Sequence, residues 1–356
     1  MKVAIDRLLG SEGGLKARQI SNKLDLERKP VSAFLHGNLD DYEQDDNYGW
    51  WLVGAGDIEV SLPSGWVSAN AFEHHLRAAV SGCAVASLLL TFDEGCKLMF
   101  DAIARVLAVA NQTIAAGQSV SLDFTASAPT RHYLNRAGFF DHLDSDVAVL
   151  PKRPKRSAAQ TYQGQSEALV ELASVSLDSD NSALVEDLCE KFVAQSSKDY
   201  LNAIVTMFGE LVDNVREHSE ARTGFAGFQK YGGRRPHIQT VVSDDGAGIA
   251  TTLRTTLAEH HSRLFSMFGA QSVDTDLSLV LTAIRDGEVS RRGKGKGLGL
   301  KSSHQQSRKF DATFSVRQEE FSLVFAYEGD DLVLKQRELD LFPLRGTHIC
   351  FDFFLA

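Results

Sequence analysis

Glu210-Leu211-Val212-Asp213-Asn214 decides how this chain reads, because it sets a carboxylate and an amide four residues apart inside an apolar helical pattern. The pattern predicts a helix over Asp199–Ser219, with Leu201, Ile204, Val205, Phe208, Leu211, Val212 and Val215 on one broad buried face. Residues four apart stack on one side of a helix, so Glu210 and Asn214 share a polar flank. An amide oxygen is a hard ligand of the kind that Mg2+ takes while keeping water and phosphate oxygens. A carboxylate one turn away can hold and deprotonate a water. Further on, Ile238–Val242 reads as a strand, and Ser243-Asp-Asp-Gly-Ala-Gly-Ile249 turns off its end. A carboxylate there can accept from the amino group of a base, and Gly246 and Gly248 let backbone approach a flat ring. Gly293-Lys-Gly-Lys-Gly-Leu-Gly299 frees backbone N–H groups for phosphate, flanked by Lys294, Lys296 and Lys301, with a helix expected from Leu298 to Lys309. Gly346-Thr347 opens the alternating strand His348–Phe354. Singly, these are a solvent-facing helix pair, a surface turn, a flexible basic loop and an ordinary strand.

In this order the four pieces resemble the ATP site of the GHKL superfamily, which includes gyrase, the large heat-shock chaperones, histidine kinases and MutL. The resemblance implies an α/β sandwich over residues 166–356 that takes ATP and Mg2+ as cofactors and hydrolyses the ATP. On the matching positions, Glu210 becomes the general base and Asn214 the magnesium ligand. Asp244, first of the D-x-G-x-G run, becomes the acceptor for adenine, and Asp245 sits at the turn instead. Gly246, Gly248, Lys294, Gly295, Lys296, Gly297, Leu298, Gly299 and Thr347 complete the implied ATP-binding set, with residues 287–299 as a lid. Asp213, Glu217 and His218 are neighbours with weaker claims. A sensor histidine kinase also needs a phosphoacceptor His followed by Glu and Pro, and none occurs; His260 and His261 lie within the ATPase segment.

Upstream, residues 1–60 read as three helices, Val3–Leu9, Leu15–Leu24 and Arg28–Leu35, then an acidic hairpin at Asp40–Asn47 and an aromatic strand at Tyr48–Val53. That order resembles a winged helix-turn-helix, and within it the Z-nucleic-acid-binding branch, with Trp50 or Trp51 standing for the wing Trp. Lys23, Arg28 and Lys29 are the expected phosphate contacts, and Ser32 and His36 would face the groove, where that branch has Asn and Tyr. The hairpin's Asp40, Asp41, Glu43, Asp45 and Asp46 oppose a phosphate backbone. Docking of a protein is therefore the competing use.

Residues 61–150 alternate strand and helix, with a strand at Ala84–Thr91, a helix at Lys97–Ala116, a strand at Ser119–Phe124 and a helix at Thr130–Phe140. This predicts a parallel βαβ layer and resembles the STAS-like domains found beside GHKL ATPases. Regulatory members carry a hydroxyl before the long helix, whereas here the loop is Asp93-Glu-Gly-Cys96. A docking or structural role is therefore expected for it. Pro151-Lys-Arg-Pro-Lys-Arg156 and the polar run to Gln165 read as a solvated linker, residues 151–165.

The chain has 356 residues and a formal net charge of −10, enough for several domains and opposed to general coating of nucleic acid. Cys83, Cys96, Cys189 and Cys350 show no metal-type spacing and read as reduced packing residues of a cytoplasmic protein. No apolar run is long enough for a membrane span. The expected fold is multidomain α+β and α/β. The expected function is an ATP-binding, ATP-hydrolysing regulator. Its expected partners are duplex nucleic acid through the winged helix, a protein through the STAS-like domain, and a second copy as homodimer. An anti-sigma-type protein serine kinase and a non-hydrolysing ATP-binding transcription regulator or nucleic-acid sensor stay open.

Overall fold

The computed structural model describes residues 1–356 apart from 54–55, 81–84, 219–220, 261, 287–310, 329–330 and 356. The chain divides into two compact units. One comprises Met1–Ala102, Val106–His132 and Leu143–Lys155, the other Ile103–Arg105, Tyr133–His142 and Arg156–Ala356.

The first unit opens with α1 (Lys2–Ser11), α2 (Ala17–Lys23) and α3 (Arg28–His36), then the antiparallel hairpin of β1 (Tyr42–Gln44) and β2 (Trp50–Leu52). Pro30 falls in the first turn of α3, where its missing N–H costs nothing. Ile5, Leu9, Ile20, Val31, Leu35, Tyr42 and Trp50 form a small core. Trp50 is thus the core tryptophan. Trp51 lies over Gly13, where any side chain would overlap its ring, and donates to Asp45 (2.9 Å).

Next along the chain come β3 (Gly56–Leu62), β4 (Gly65–Val67), α4 (Ala69–Val80), β5 (Val85–Phe92), β6 (Cys96–Leu98), α5 (Phe100–Ala115), β7 (Ser119–Asp123), α6 (Ala128–Arg136), α7 (Phe139–His142) and β8 (Ala148–Leu150), of which α7, the end of α6 from Tyr133 and Ile103–Arg105 of α5 belong to the second unit. Strands β3, β5, β7 and β8 form a parallel sheet in that order, and β4 pairs β6. The expected boundary at residue 60 falls inside β3. The long helix starts at Phe100, because Cys96–Leu98 is spent on β6. The helix expected over Thr130–Phe140 breaks in two at Gly138, whose φ of 86° suits glycine and whose missing Cβ leaves room for the Leu172 carbonyl oxygen. The segment expected as a solvated linker is tied down at Arg153, which donates to the carbonyls of Leu143 (3.0 Å), Val147 (3.1 Å) and Asp144. Burial of the Arg153 guanidinium lowers its pKa.

The second unit holds α8 (Ala158–Thr161), β9 (Leu169–Ser174), α9 (Ser182–Gln195), α10 (Leu201–His218), β10 (Gly224–Tyr231), β11 (His237–Asp244), α11 (Gly248–His260), α12 (Ser262–Phe268), α13 (Val273–Asp286), β12 (Asp311–Glu319), β13 (Phe321–Glu328), β14 (Asp331–Glu338) and β15 (Leu344–Phe354). Seven antiparallel strands run β14-β13-β12-β15-β11-β10-β9. The last strand of the chain, β15, therefore lies in the middle of the sheet, between β11 and β12. Its helix-side residues Ile349, Phe351 and Phe353 join Phe208, Leu211 and Val215 of α10, Phe192 of α9, Leu253 of α11 and Ile284 of α13 in one core. The edge strand β9 is not left open. Leu172 N donates to Ala137 O (2.9 Å), and the His142 Nε2 donates to Leu172 O (2.8 Å). The Arg136–Glu171 ion pair closes the same edge.

One expectation about α10 is corrected. Leu201 and Val205 are 44% and 45% exposed, while Ala203 and Met207 are buried. The buried arc is rotated away from the Leu201–Val205–Gly209 line, and an added Cβ at Gly209 would meet nothing. Glu210 and Asn214, both half-buried, lie on the opposite flank of that arc. Among the described residues, no helix is long and apolar enough to cross a membrane.

Candidate functional site

Asp244 ends β11, where its carboxylate is only 6% exposed. Its Oδ1 accepts from Gly246 N (2.8 Å) and from Thr347 N (3.3 Å) on the neighbouring strand. Oδ2 is the oxygen left for a ligand. Burial pushes the Asp244 pKa up to about 7, against the pull of those two backbone donors. Asp245 plays a different part: its Oδ1 accepts from Arg222 N (2.8 Å) and Thr223 N (2.9 Å), fastening the loop before β10. Of the two adjacent aspartates, Asp244 is bonded through Oδ1 alone and Asp245 holds the turn.

Glycines make this close approach. Gly346 has φ of 91°, and a side chain there would overlap the Asp244 carbonyl. Gly248, at φ 77°, begins α11 and passes within 3.0 Å, measured from an ideal Cβ, of the Gln318 amide. Gly246 supplies its N–H rather than an unusual φ. Thr347 is buried and its hydroxyl accepts from Gln318 Nε2 (2.9 Å). Sequence reasoning missed Gln318. Only cross-strand register, with Arg317 opposite His348, brings Gln318 to Thr347.

Behind the Asp244–Thr347 pair, the next residue on each strand turns to the other face of the sheet. Ser243 is opposite His348, and its hydroxyl donates to the His348 Nδ1. The Nε2 of His348 donates to Arg345 O (3.2 Å). Burial, then the Arg105 and Arg317 guanidiniums, hold His348 well below the ordinary histidine range. It is a neutral, fully bonded imidazole.

Helix α10 passes over this end of the sheet. Val215 fills the space that a Gly224 side chain would take, and Gly224 is opposite Asp244. Asn214 is the next residue on that turn, and Glu210 lies one turn before it. Asp213 instead pairs with Arg216 (3.2 Å) on the surface. Lys294, Gly295, Lys296, Gly297, Leu298 and Gly299 lie outside the described residues, as do Lys301, the expected helix to Lys309 and the side chains of Glu217 and His218.

The donor set fits a nucleotide better than a resident metal. Among the described residues no group of three or more His, Cys, Asp or Glu could hold an ion. One amide oxygen at Asn214 suits Mg2+ that arrives on a triphosphate and keeps its waters. An acceptor-only carboxylate buried beside glycines suits the amino group of a base.

In the first unit the expected nucleic-acid contacts are spread unevenly. Lys23 is held by Glu12 (2.7 Å). Arg28 and Lys29 are exposed in the first turn of α3. Ser32 is half-buried, and His36 is exposed with its ring edge-on to Trp50 at 4.8 Å and its Nδ1 on Ser32 O (2.9 Å).

Residues 200–353 match the family model described as Histidine kinase-, DNA gyrase B-, and HSP90-like ATPase. The match puts a GHKL-type ATPase domain in this stretch and supports ATP binding there. It spans α10, the Asp244 turn and β15, the elements that carry Glu210, Asn214, Asp244 and Thr347. No curated protein matches the chain.

Proposed function

We propose that this chain is an ATP-binding, Mg2+-dependent ATPase that acts as a regulator. The observation that carries the reading is the Asp244 carboxylate: buried, bonded through one oxygen only, and joined to Thr347 within the region that matches the ATPase family. In this reading Asp244 accepts from adenine, Asn214 holds the magnesium brought by the nucleotide, and Glu210 deprotonates the attacking water. Lys294 and Lys296 neutralise phosphate, with Gly295, Gly297, Leu298 and Gly299 as the backbone cradle. Titration calorimetry with ATP tests binding, and phosphate release tests turnover. Glu210→Ala should keep ATP binding and lose turnover by about 10²-fold, the usual cost of removing a general base. Unchanged turnover would move the base elsewhere, with Glu217 next.

Nucleotide state would control how the N-terminal winged helix and the STAS-like layer engage a partner, in a cytoplasmic homodimer. Cys96, Cys189 and Cys350 are buried and in no disulfide, which fits a reducing compartment. Burial pushes Cys96 to about 11 and Cys189 to about 12, so both thiols are unreactive. For the N-terminal partner, two observations favour protein over duplex. Lys23 is already paired with Glu12, and Asp40, Glu43 and Asp46 of the hairpin are exposed. The serine-kinase rival requires a substrate on another chain, and labelled γ-phosphate transfer to protein distinguishes it.

A further inference from the structure

We infer that Gln318 is a positioning residue that fixes the direction of the Thr347 hydroxyl and thereby selects adenine over guanine; this rests on the ATP reading above.

Gln318 is 1% exposed, near the end of β12, on the sheet face it shares with Thr347. Its Oε1 accepts from Ala250 N (3.4 Å) in the first turn of α11. A backbone N–H can only donate, so this bond settles which end of the amide is oxygen. The other end, Nε2, then donates to Thr347 Oγ1 (2.9 Å). A hydroxyl has one proton and two lone pairs. With Gln318 on a lone pair, the Thr347 proton is left to donate elsewhere. Asp244, whose Oδ1 is occupied by Thr347 N and Gly246 N, offers Oδ2 as an acceptor when ionised.

The two strands therefore present an acceptor beside a donor. The pairing edge of adenine carries an amino donor beside a ring-nitrogen acceptor, the complement. Guanine carries a carbonyl acceptor beside a ring N–H donor, the opposite sense. A buried amide with both ends bonded also costs desolvation that an apolar side chain would avoid, so packing alone does not call for glutamine here. Gly248 belongs to the same device, since Gln318 Nε2 stands 3.0 Å from where its Cβ would be. Gln318 itself sits at the register shift between Arg317 and Glu319, and Glu319 adopts φ of 45°.

The test is calorimetric binding of ATP and of GTP, each with Mg2+, to the full chain above the Asp244 pKa of about 7. The proteins are wild type, Gln318→Met, Gln318→Glu, Thr347→Val and the Gln318→Met/Thr347→Val double variant, each checked for folding by circular dichroism. Wild type should prefer ATP. Gln318→Met frees the hydroxyl to rotate, and ATP affinity should fall about tenfold, the size of one hydrogen bond. Gln318→Glu keeps the shape, but its carboxylate accepts the Thr347 proton and turns it inward. Its ATP-to-GTP ratio should fall at least as far. The double variant should lose no more than Thr347→Val alone, since one interaction cannot be lost twice. An unchanged ATP-to-GTP ratio in the variants, with wild type binding ATP, overturns the inference alone. Additive losses in the double variant overturn it as well, and that comparison decides if Gln318→Glu does not fold. Failure of wild type to bind either nucleotide overturns the ATP reading and this inference with it.

Discussion

Asp244 joins the proposed adenine acceptor to a stability term. In Asp244→Asn the side-chain oxygen keeps the two backbone donors, so the amide nitrogen replaces Oδ2 and an acceptor becomes a donor. ATP affinity should fall tenfold or more, about 1.4 kcal/mol or above, in a calorimetric titration. The raised pKa gives two signs that can be checked. Ligand binding needs the ionised form, so ATP affinity of the wild type should rise as pH rises through about 7. Folding of the free protein has the opposite dependence. The folded carboxyl keeps its proton up to about 7, whereas the unfolded one releases it near 3.8. Its stabilising contribution is present at low pH and lost as pH rises across that window. Buried His348 acts the other way, losing stability as pH falls below the ordinary histidine value of 6.5. Urea unfolding of wild type and Asp244→Asn across the window isolates the Asp244 slope by difference.

At the scale of elements, α10 and β15 place the candidate residues, and each has a position that tests the packing. Val205 lies on the exposed line of α10, so Val205→Lys should change stability by less than about 0.5 kcal/mol. Phe208, three residues on, is in the core, and Phe208→Ala should cost about 3–5 kcal/mol in the same denaturation series. If the two effects were alike, the rotated arc would be wrong. In β15, Gly346→Ala meets both a positive φ and the Asp244 carbonyl. It should lower stability by about 2 kcal/mol or more and weaken ATP binding together, because the same contact seats Thr347 against Asp244.

For the whole molecule, the prediction concerns the first unit. Arg28 and Lys29 are the exposed cations of α3, and a duplex held by both should show affinity falling with salt at a slope of about −2. A mobility-shift series with the full chain and an Arg28→Glu/Lys29→Glu variant reads this directly. Protein docking is the expected outcome, so wild type and variant should both leave the duplex free at moderate salt. Retention by wild type, lost in the variant and steep in salt, would restore the nucleic-acid reading.

Local pattern alone was enough for much of this molecule. The apolar periodicity of α10, the three N-terminal helices and the strand at Ser119 are legible because helix and strand repeats are written in nearest neighbours. The spacing of Glu210 and Asn214, and the order of the acidic turn and the Gly-Thr strand, are legible for the same reason. What lay beyond it depends on long-range pairing. Strands β4, β6 and β8 are short, and they and β3 acquire their identity only from partners far along the chain. Gly138 ends a helix through its φ of 86°, but the approach of the Leu172 carbonyl to it comes from far along the chain. The division of labour between Asp244 and Asp245, and the part played by Gln318, follow from β15 entering the sheet between β11 and β12. Only that placement buries one carboxylate against Thr347, leaves its neighbour to hold a loop, and brings a glutamine 29 positions before Thr347 onto its hydroxyl.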